Sequence, residues 1–217
     1  MGLISADQIR TQLRLYLVTD AELCGARGVA DTVRAAVAGG VSMVQLRDKT
    51  ATTHERIAMG QVLMQILAGT DVPLIINDDI DAAIAIGAHG IHVGQSDITS
   101  QIAREGLGPA AIVGLSCETV AHASAADPLI VDYVGIGPIF ATSTKPDHAA
   151  ALGLTGLETA RAATHLPAVA IGGLHLEHVA QIMASGVDGI AVVSAICGQS
   201  DPRAAAAALT NALARAL

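Results

Sequence analysis

A chain of 217 residues is long enough to bury one sizeable core and short for two typical domains. It is 52% hydrophobic but only 1% aromatic and has no tryptophan, so Ala, Val, Ile and Leu must build the interior, and an aromatic platform for single-stranded nucleic acid is excluded. A formal net charge of -8 disfavours polyanion partners but leaves phosphate binding open, since that needs only local cations and backbone N–H groups.

The first ten residues carry acidic and polar side chains and no apolar centre, so they do not read as a signal peptide. From residue 15 onward, short apolar runs alternate with Ala-rich helical segments. A strand over 15–19 leads to a helix over 28–38, and a strand over 43–46 to a helix over 54–67. The series continues with strand 73–76 and helix 79–86, strand 90–93 and helix 100–105, then strand 111–115 and helix 119–126. Strand 133–136 precedes a loop of about seventeen residues and a helix over 154–163. Strand 168–171, helix 176–184, strand 189–193 and helix 202–217 complete the chain, with Pro202 suited to a first helical turn. Gly39, Gly40, Gly87, Gly106 and Gly186 fall where helices should end. Eight such βα units at this length predict one (β/α)8 TIM barrel of parallel strands spanning 1–217. The first strand lacks a following G-x-G-x-x-G, which argues against the doubly wound open sheet.

Cys24, Cys117 and Cys197 form no C-x-x-C pair, which fits reduced thiols in a cytoplasmic protein. No uninterrupted stretch of about twenty apolar residues predicts a membrane span. No H-x-x-x-H or H-E-x-x-H pattern suggests a zinc hydrolase, and His92 falls within a strand where it could face the barrel interior.

Barrel chemistry gathers at the C-terminal ends of the strands, and here those ends are polar. Gln45, Arg47 and Lys49 would share one face if their strand ran on to Lys49, making either a phosphate clamp or an ion pair with Asp48 or Asp78. Asp78 and Asp97 end adjacent strands. They could share a hard cation such as Mg2+ with substrate phosphate oxygens, or they could cap the helices that follow. Thr142, Ser143, Thr144 and Lys145 offer hydroxyls and an ammonium in the long loop. Gly172, Gly173, Val193 and Ser194 occupy the ends of strands seven and eight, where barrels commonly hold phosphate; a plain tight turn is the alternative.

The ordered series LYLVTD, VQLRDK, LIINDD, GIHVGQSD, GLSCET, YVGIGPIFATSTKPD, VAIGG and GIAVVSAI resembles the motifs of the thiamine phosphate synthase (thiamine-phosphate pyrophosphorylase) family over nearly the whole chain. That resemblance implies a transferase joining a hydroxymethylpyrimidine diphosphate to a thiazole phosphate, with pyrophosphate released. It implies that Gln45, Arg47, Lys49, Asn77, Ser116 and Lys145 contact the pyrimidine diphosphate, and that Asp78 and Asp97 bind Mg2+. It further implies that Thr142, Ser143, Thr144, Gly173, Val193 and Ser194 bind the thiazole phosphate. The expected partners are small molecules rather than nucleic acid or membrane, and a homo-oligomer is allowed. The competing readings are a thiazole tautomerase-like barrel, which needs no diphosphate clamp, and a non-catalytic phosphate-binding barrel, which should have lost its charged strand ends.

Overall fold

The computed structural model describes residues 5–95, 97–142, 144 and 150–216. Its strands are β1 (Leu15–Val18), β2 (Met43–Leu46), β3 (Leu74–Asn77), β4 (Gly90–Val93), β5 (Ile112–Cys117), β6 (Tyr133–Ile136), β7 (Ala168–Ile171) and β8 (Gly189–Val192). They are parallel and hydrogen-bonded in sequence order, and β8 closes onto β1 with Leu17 beside Val192. The expected (β/α)8 barrel is therefore present.

Period-two alternation splits each strand between two cores. Leu15, Leu17, Val44, Leu46, Leu74 and Ile76 face outward into one apolar layer shared with the helices. Tyr16, Met43, Ile75, Ile112, Tyr133, Val169 and Ala191 face inward and fill the bore. Both faces are buried, which is why the strands read as continuous apolar runs.

The outer ring contains α3 (Gly28–Ala38), α4 (Thr53–Leu67), α5 (Ile80–Ile86), α6 (Ser100–Leu107), α7 (Val120–Ala125), α8 (Gly153–Ala162), α9 (Val179–Ala184) and α10 (Pro202–Ala216). Two helices absent from the sequence expectation precede α3: α1 (Ala6–Gln12) and α2 (Ala21–Cys24). α1 opens with a capping box between Ser5 and Gln8 and sends Ile9 and Leu13 into the inner core, so it plugs the lower end of the bore. The expected helix over 176–184 divides into a 3-10 turn, Leu176–His178, and α9. Gly106 does not end a helix. It lies inside α6, where an added Cβ would stand 2.7 Å from the tip of Ile80, and Gly108 at φ 83 ends the helix instead.

The two ends of the barrel treat charge differently. At the lower end, Arg10 pairs with Asp188 at 2.7 Å, and Arg104 with Asp132 at 2.6 Å. The same carboxylates accept N–H groups of the strands, Ala168 at 2.8 Å and Val113 at 2.7 Å, so these charges stitch strands and helices together. At the upper end, the charged groups line an open cavity. Among the described residues, no helix is long and apolar enough to cross a membrane.

Candidate functional site

The upper cavity has a volume of about 690 Å3 and draws its walls from the ends of all eight strands. β2 stops at Leu46, so the strand does not carry Gln45, Arg47 and Lys49 in regular alternation as expected. All three nevertheless line the cavity. Gln45 is buried in the bore, Arg47 is half-buried and Lys49 is exposed at the rim. The expected alternative partner Asp48 turns the following loop, since its Oδ1 accepts N–H groups from Thr50 at 3.0 Å and Ala51 at 3.1 Å. Those bonds hold its carboxyl below the ordinary range despite partial burial.

Asp78 and Asp97 are freed from capping. α5 is capped by Asp79, whose Oδ1 accepts the Ala82 N–H at 2.9 Å and whose Oδ2 pairs with Arg56 at 2.7 Å. α6 is capped by Thr99. Asp78 takes a left-handed backbone, φ 60, rare for a non-glycine residue, with its N–H bonded to the His92 carbonyl at 3.0 Å. Its carboxyl adjoins that of Asp97 and accepts from Asn77 Nδ2. Burial first, and then Asp97, push the Asp78 carboxyl up to about 7, while the Arg47 guanidinium pulls the other way. Asp97 is braced by the Gly94 N–H at 2.7 Å.

Two adjoining carboxylates facing a cavity are a donor set for a hard cation, whose binding would relieve their repulsion. Among the described residues, no group of three or more His, Cys, Asp or Glu side chains is arranged to hold a metal. The chemistry therefore fits Mg2+ completed by water and ligand oxygens, rather than a protein-only zinc cage.

Ser116, next to last in β5, lies in the cavity wall with its Oγ 2.9 Å from His92 Nε2. Asn77, Thr142, Thr144, Gly173, Val193 and Ser194 also line the cavity. The hydroxyls of Thr142 and Thr144 are hydrogen-bonded at 2.9 Å. Ser143 and Lys145 lie outside the described residues. Gly172 and Gly173, at φ 101 and 65, form more than a tight turn. A Cβ at Gly172 would meet Pro138 at 2.6 Å, and one at Gly173 would meet the Ala141 carbonyl at 2.7 Å. The glycines thus let the stretch after β6 dock beside β7, with Phe140 N–H bonded to the Gly172 carbonyl at 3.0 Å.

Sequence reasoning missed Tyr16 and Tyr133, inward-facing strand residues that carry polar groups into an apolar bore. A buried tyrosine hydroxyl needs a partner, and that was the available signal. Burial pushes the Cys117 thiol up to about 12, which makes it a poor nucleophile. The cysteines are free, and Cys24 and Cys197, far apart in sequence, come close enough to act on each other's ionisation.

The family profile described as thiamine monophosphate synthase matches residues 15–196. A thiamine-phosphate synthase of Albidiferax ferrireducens is 48% identical over 202 residues, covering 93% of this chain and 92% of that protein. One from Vibrio campbellii is 48% identical over 192 residues, covering 88% and 94%. Among solved structures, a thiamine phosphate pyrophosphorylase from Pyrococcus furiosus superposes with a TM-score of 0.87 at 33% identity, over 96% of this chain and 99% of that one. A 3-hexulose-6-phosphate synthase, at 18% identity and a TM-score of 0.66, shares the fold.

Proposed function

The chain belongs to the thiamine monophosphate synthase family, and on that premise we propose that it is a transferase joining a hydroxymethylpyrimidine diphosphate to a thiazole phosphate, giving thiamine phosphate and pyrophosphate. The observation that carries this reading is one cavity holding the Asp78–Asp97 pair, the cations Arg47 and Lys49, the Gly172-Gly173 end of β7 and the Val193-Ser194 end of β8. Two anionic substrates need two phosphate subsites, and a tautomerase or inert barrel would have no use for the first.

Gln45, Arg47, Lys49, Asn77, Ser116 and Lys145 hold the pyrimidine diphosphate. Arg47, Lys49 and Lys145 stabilise negative charge as it grows on the departing pyrophosphate. Thr142, Ser143 and Thr144 hold the thiazole phosphate together with Gly173, Val193 and Ser194, and backbone N–H groups at the glycines approach it closely. Mg2+ bound by Asp78 and Asp97 would supply further charge neutralisation at phosphate oxygens. The C–O bond to pyrophosphate breaks early, the electron-rich aminopyrimidine stabilises the resulting methyl cation, and the thiazole nitrogen captures it. No side chain has to deprotonate the nucleophile, so the barrel's main contribution is to hold both partners in line. The reading includes the cytoplasm as location and no nucleic-acid or membrane partner.

Incubating the purified protein with both substrates and Mg2+ tests this. Thiamine phosphate identified by mass is the expected product; its absence, in a protein that binds both substrates, would overturn the reading.

A further inference from the structure

A continuous chain of hydrogen bonds crosses the bore at the floor of the cavity. Gln45 Nε2 donates to the Tyr16 hydroxyl at 2.7 Å, and the Tyr16 and Tyr133 hydroxyls lie 2.8 Å apart. Tyr133 Oη is 2.9 Å from His92 Nδ1, and His92 Nε2 is 2.9 Å from Ser116 Oγ. Gln45 and Ser116, the two ends, line the cavity together with Tyr16 and His92, while Tyr133 is buried beneath them.

Proton counting gives this chain a direction. With the Gln45 amide turned so that Nε2 faces Tyr16, the Tyr16 oxygen accepts from Gln45 and its single proton is left for Tyr133. The Tyr133 proton then goes to His92 Nδ1. Nδ1 therefore carries no hydrogen, and Nε2 holds the imidazole proton and donates it to Ser116 Oγ. The Ser116 hydroxyl hydrogen is left to point away from His92, into the cavity. Both phenols keep their protons, because burial pushes their ionisation far above the ordinary range. A second imidazole proton would drive two donors onto the Tyr133 oxygen and strand the Tyr133 hydrogen, buried, without an acceptor, which disfavours it.

Two neighbouring positions are cleared for this arrangement. A Cβ at Gly114 would stand 2.2 Å from the Tyr133 ring and 2.5 Å from His92 Nδ1, and one at Gly135 would stand 3.3 Å from His92 Cε1. Any side chain at position 114 would cut the chain between Tyr133 and His92.

We propose that Tyr16, Tyr133 and His92 are positioning residues forming a one-way hydrogen-bond relay, which fixes His92 as the Nε2–H tautomer and sets Ser116 as a donor toward the bound diphosphate substrate. The relay's effect on turnover rests on the synthase reading above; its direction does not.

The test is a long-range 15N–1H spectrum of the full-length protein labelled at histidine nitrogen, recorded without substrate, with H92Q identifying the His92 signals. The expected result is a bare Nδ1 and a protonated Nε2. An Nδ1–H tautomer, an imidazolium or an even mixture at neutral pH would overturn the proposal, and the wild-type spectrum alone decides it. In Y133F the His92 nitrogen shifts should move. The kcat/KM for the pyrimidine diphosphate should fall about five- to tenfold, the worth of one buried hydrogen bond, with the KM for thiazole phosphate unchanged. An unaltered His92 spectrum in a folded Y133F would also contradict the relay. Absence of pyrophosphate release from the wild type would instead count against the synthase reading, because the nitrogen spectrum needs no substrate.

Discussion

The Asp97 carboxyl stands close enough to the Asp78 carboxyl at the mouth of the barrel to help hold a proton on it, although neither residue caps the helix that follows it. Asp78 reaches this position by adopting φ 60, which leaves Asp79 to cap α5. Asp78→Ala or Asp97→Ala should lower turnover by about two orders of magnitude and weaken the dependence on Mg2+. Steady-state rates over a Mg2+ titration check this; near-normal rates at low Mg2+ would remove both residues from the metal site.

The same pair makes stability depend on pH. Asp78 sits at about 7 in the folded chain, against an ordinary value of 3.8. Its folded form prefers the proton, so its contribution is present below the unfolded value and is lost as pH rises through about 7. In EDTA, the wild-type Tm should fall between pH 5 and pH 8 relative to Asp78→Asn. Mg2+ should recover part of that loss at pH 8 by binding the folded state. Parallel Tm curves for the two proteins would contradict the assignment.

Arg47 is half-buried in the cavity wall, where its charge acts on Asp78. Arg47→Ala should weaken binding of the pyrimidine diphosphate by about 10–100-fold, the range for a hydrogen bond to a charged group. Thiazole phosphate binding should change little. Calorimetric titration of each substrate separately checks the split, and equal losses for both would argue against a diphosphate subsite at Arg47.

Gly173→Ala places a Cβ at φ 65 within 2.7 Å of the Ala141 carbonyl and 2.8 Å of the Phe140 side chain. The stretch after β6 must move away from β7. The KM for thiazole phosphate should rise at least tenfold, with the pyrimidine diphosphate KM nearly constant.

Asp132 belongs to the other end of the barrel, where it accepts from both Arg104 and the Val113 N–H. Asp132→Ala should cost about 2–3 kcal/mol and lower Tm by about 4–12 °C. Both KM values should hold at temperatures where the variant is folded. Thermal melts alongside kinetics separate this structural role from the chemistry at the opposite end.

The barrel was legible because its strands are apolar on both faces and its polar clusters fall directly after them. Gln45, Asp78, Asp97, Ser116 and Ser194 could be placed at strand ends from chain order alone. α1 escaped notice because its buried contribution rests on Ile9 and Leu13, within and just beyond a mostly polar segment. Gly106 was misplaced because packing of α5 against α6, rather than a helix terminus, requires it. The Tyr16–Tyr133–His92 contacts were hidden by separation: the hydroxyl partners are 117 positions apart, and the tyrosine and histidine 41. Only closure of the barrel brings them together, and no local pattern encodes that.

The most direct measurement of the central claim is pyrophosphate release by the wild-type protein, given the pyrimidine diphosphate and Mg2+ with and without thiazole phosphate. Two substrates meeting in one cavity predict release that requires the thiazole phosphate and matches thiamine phosphate one for one. Equal release without the thiazole phosphate, or none with it, would contradict the account.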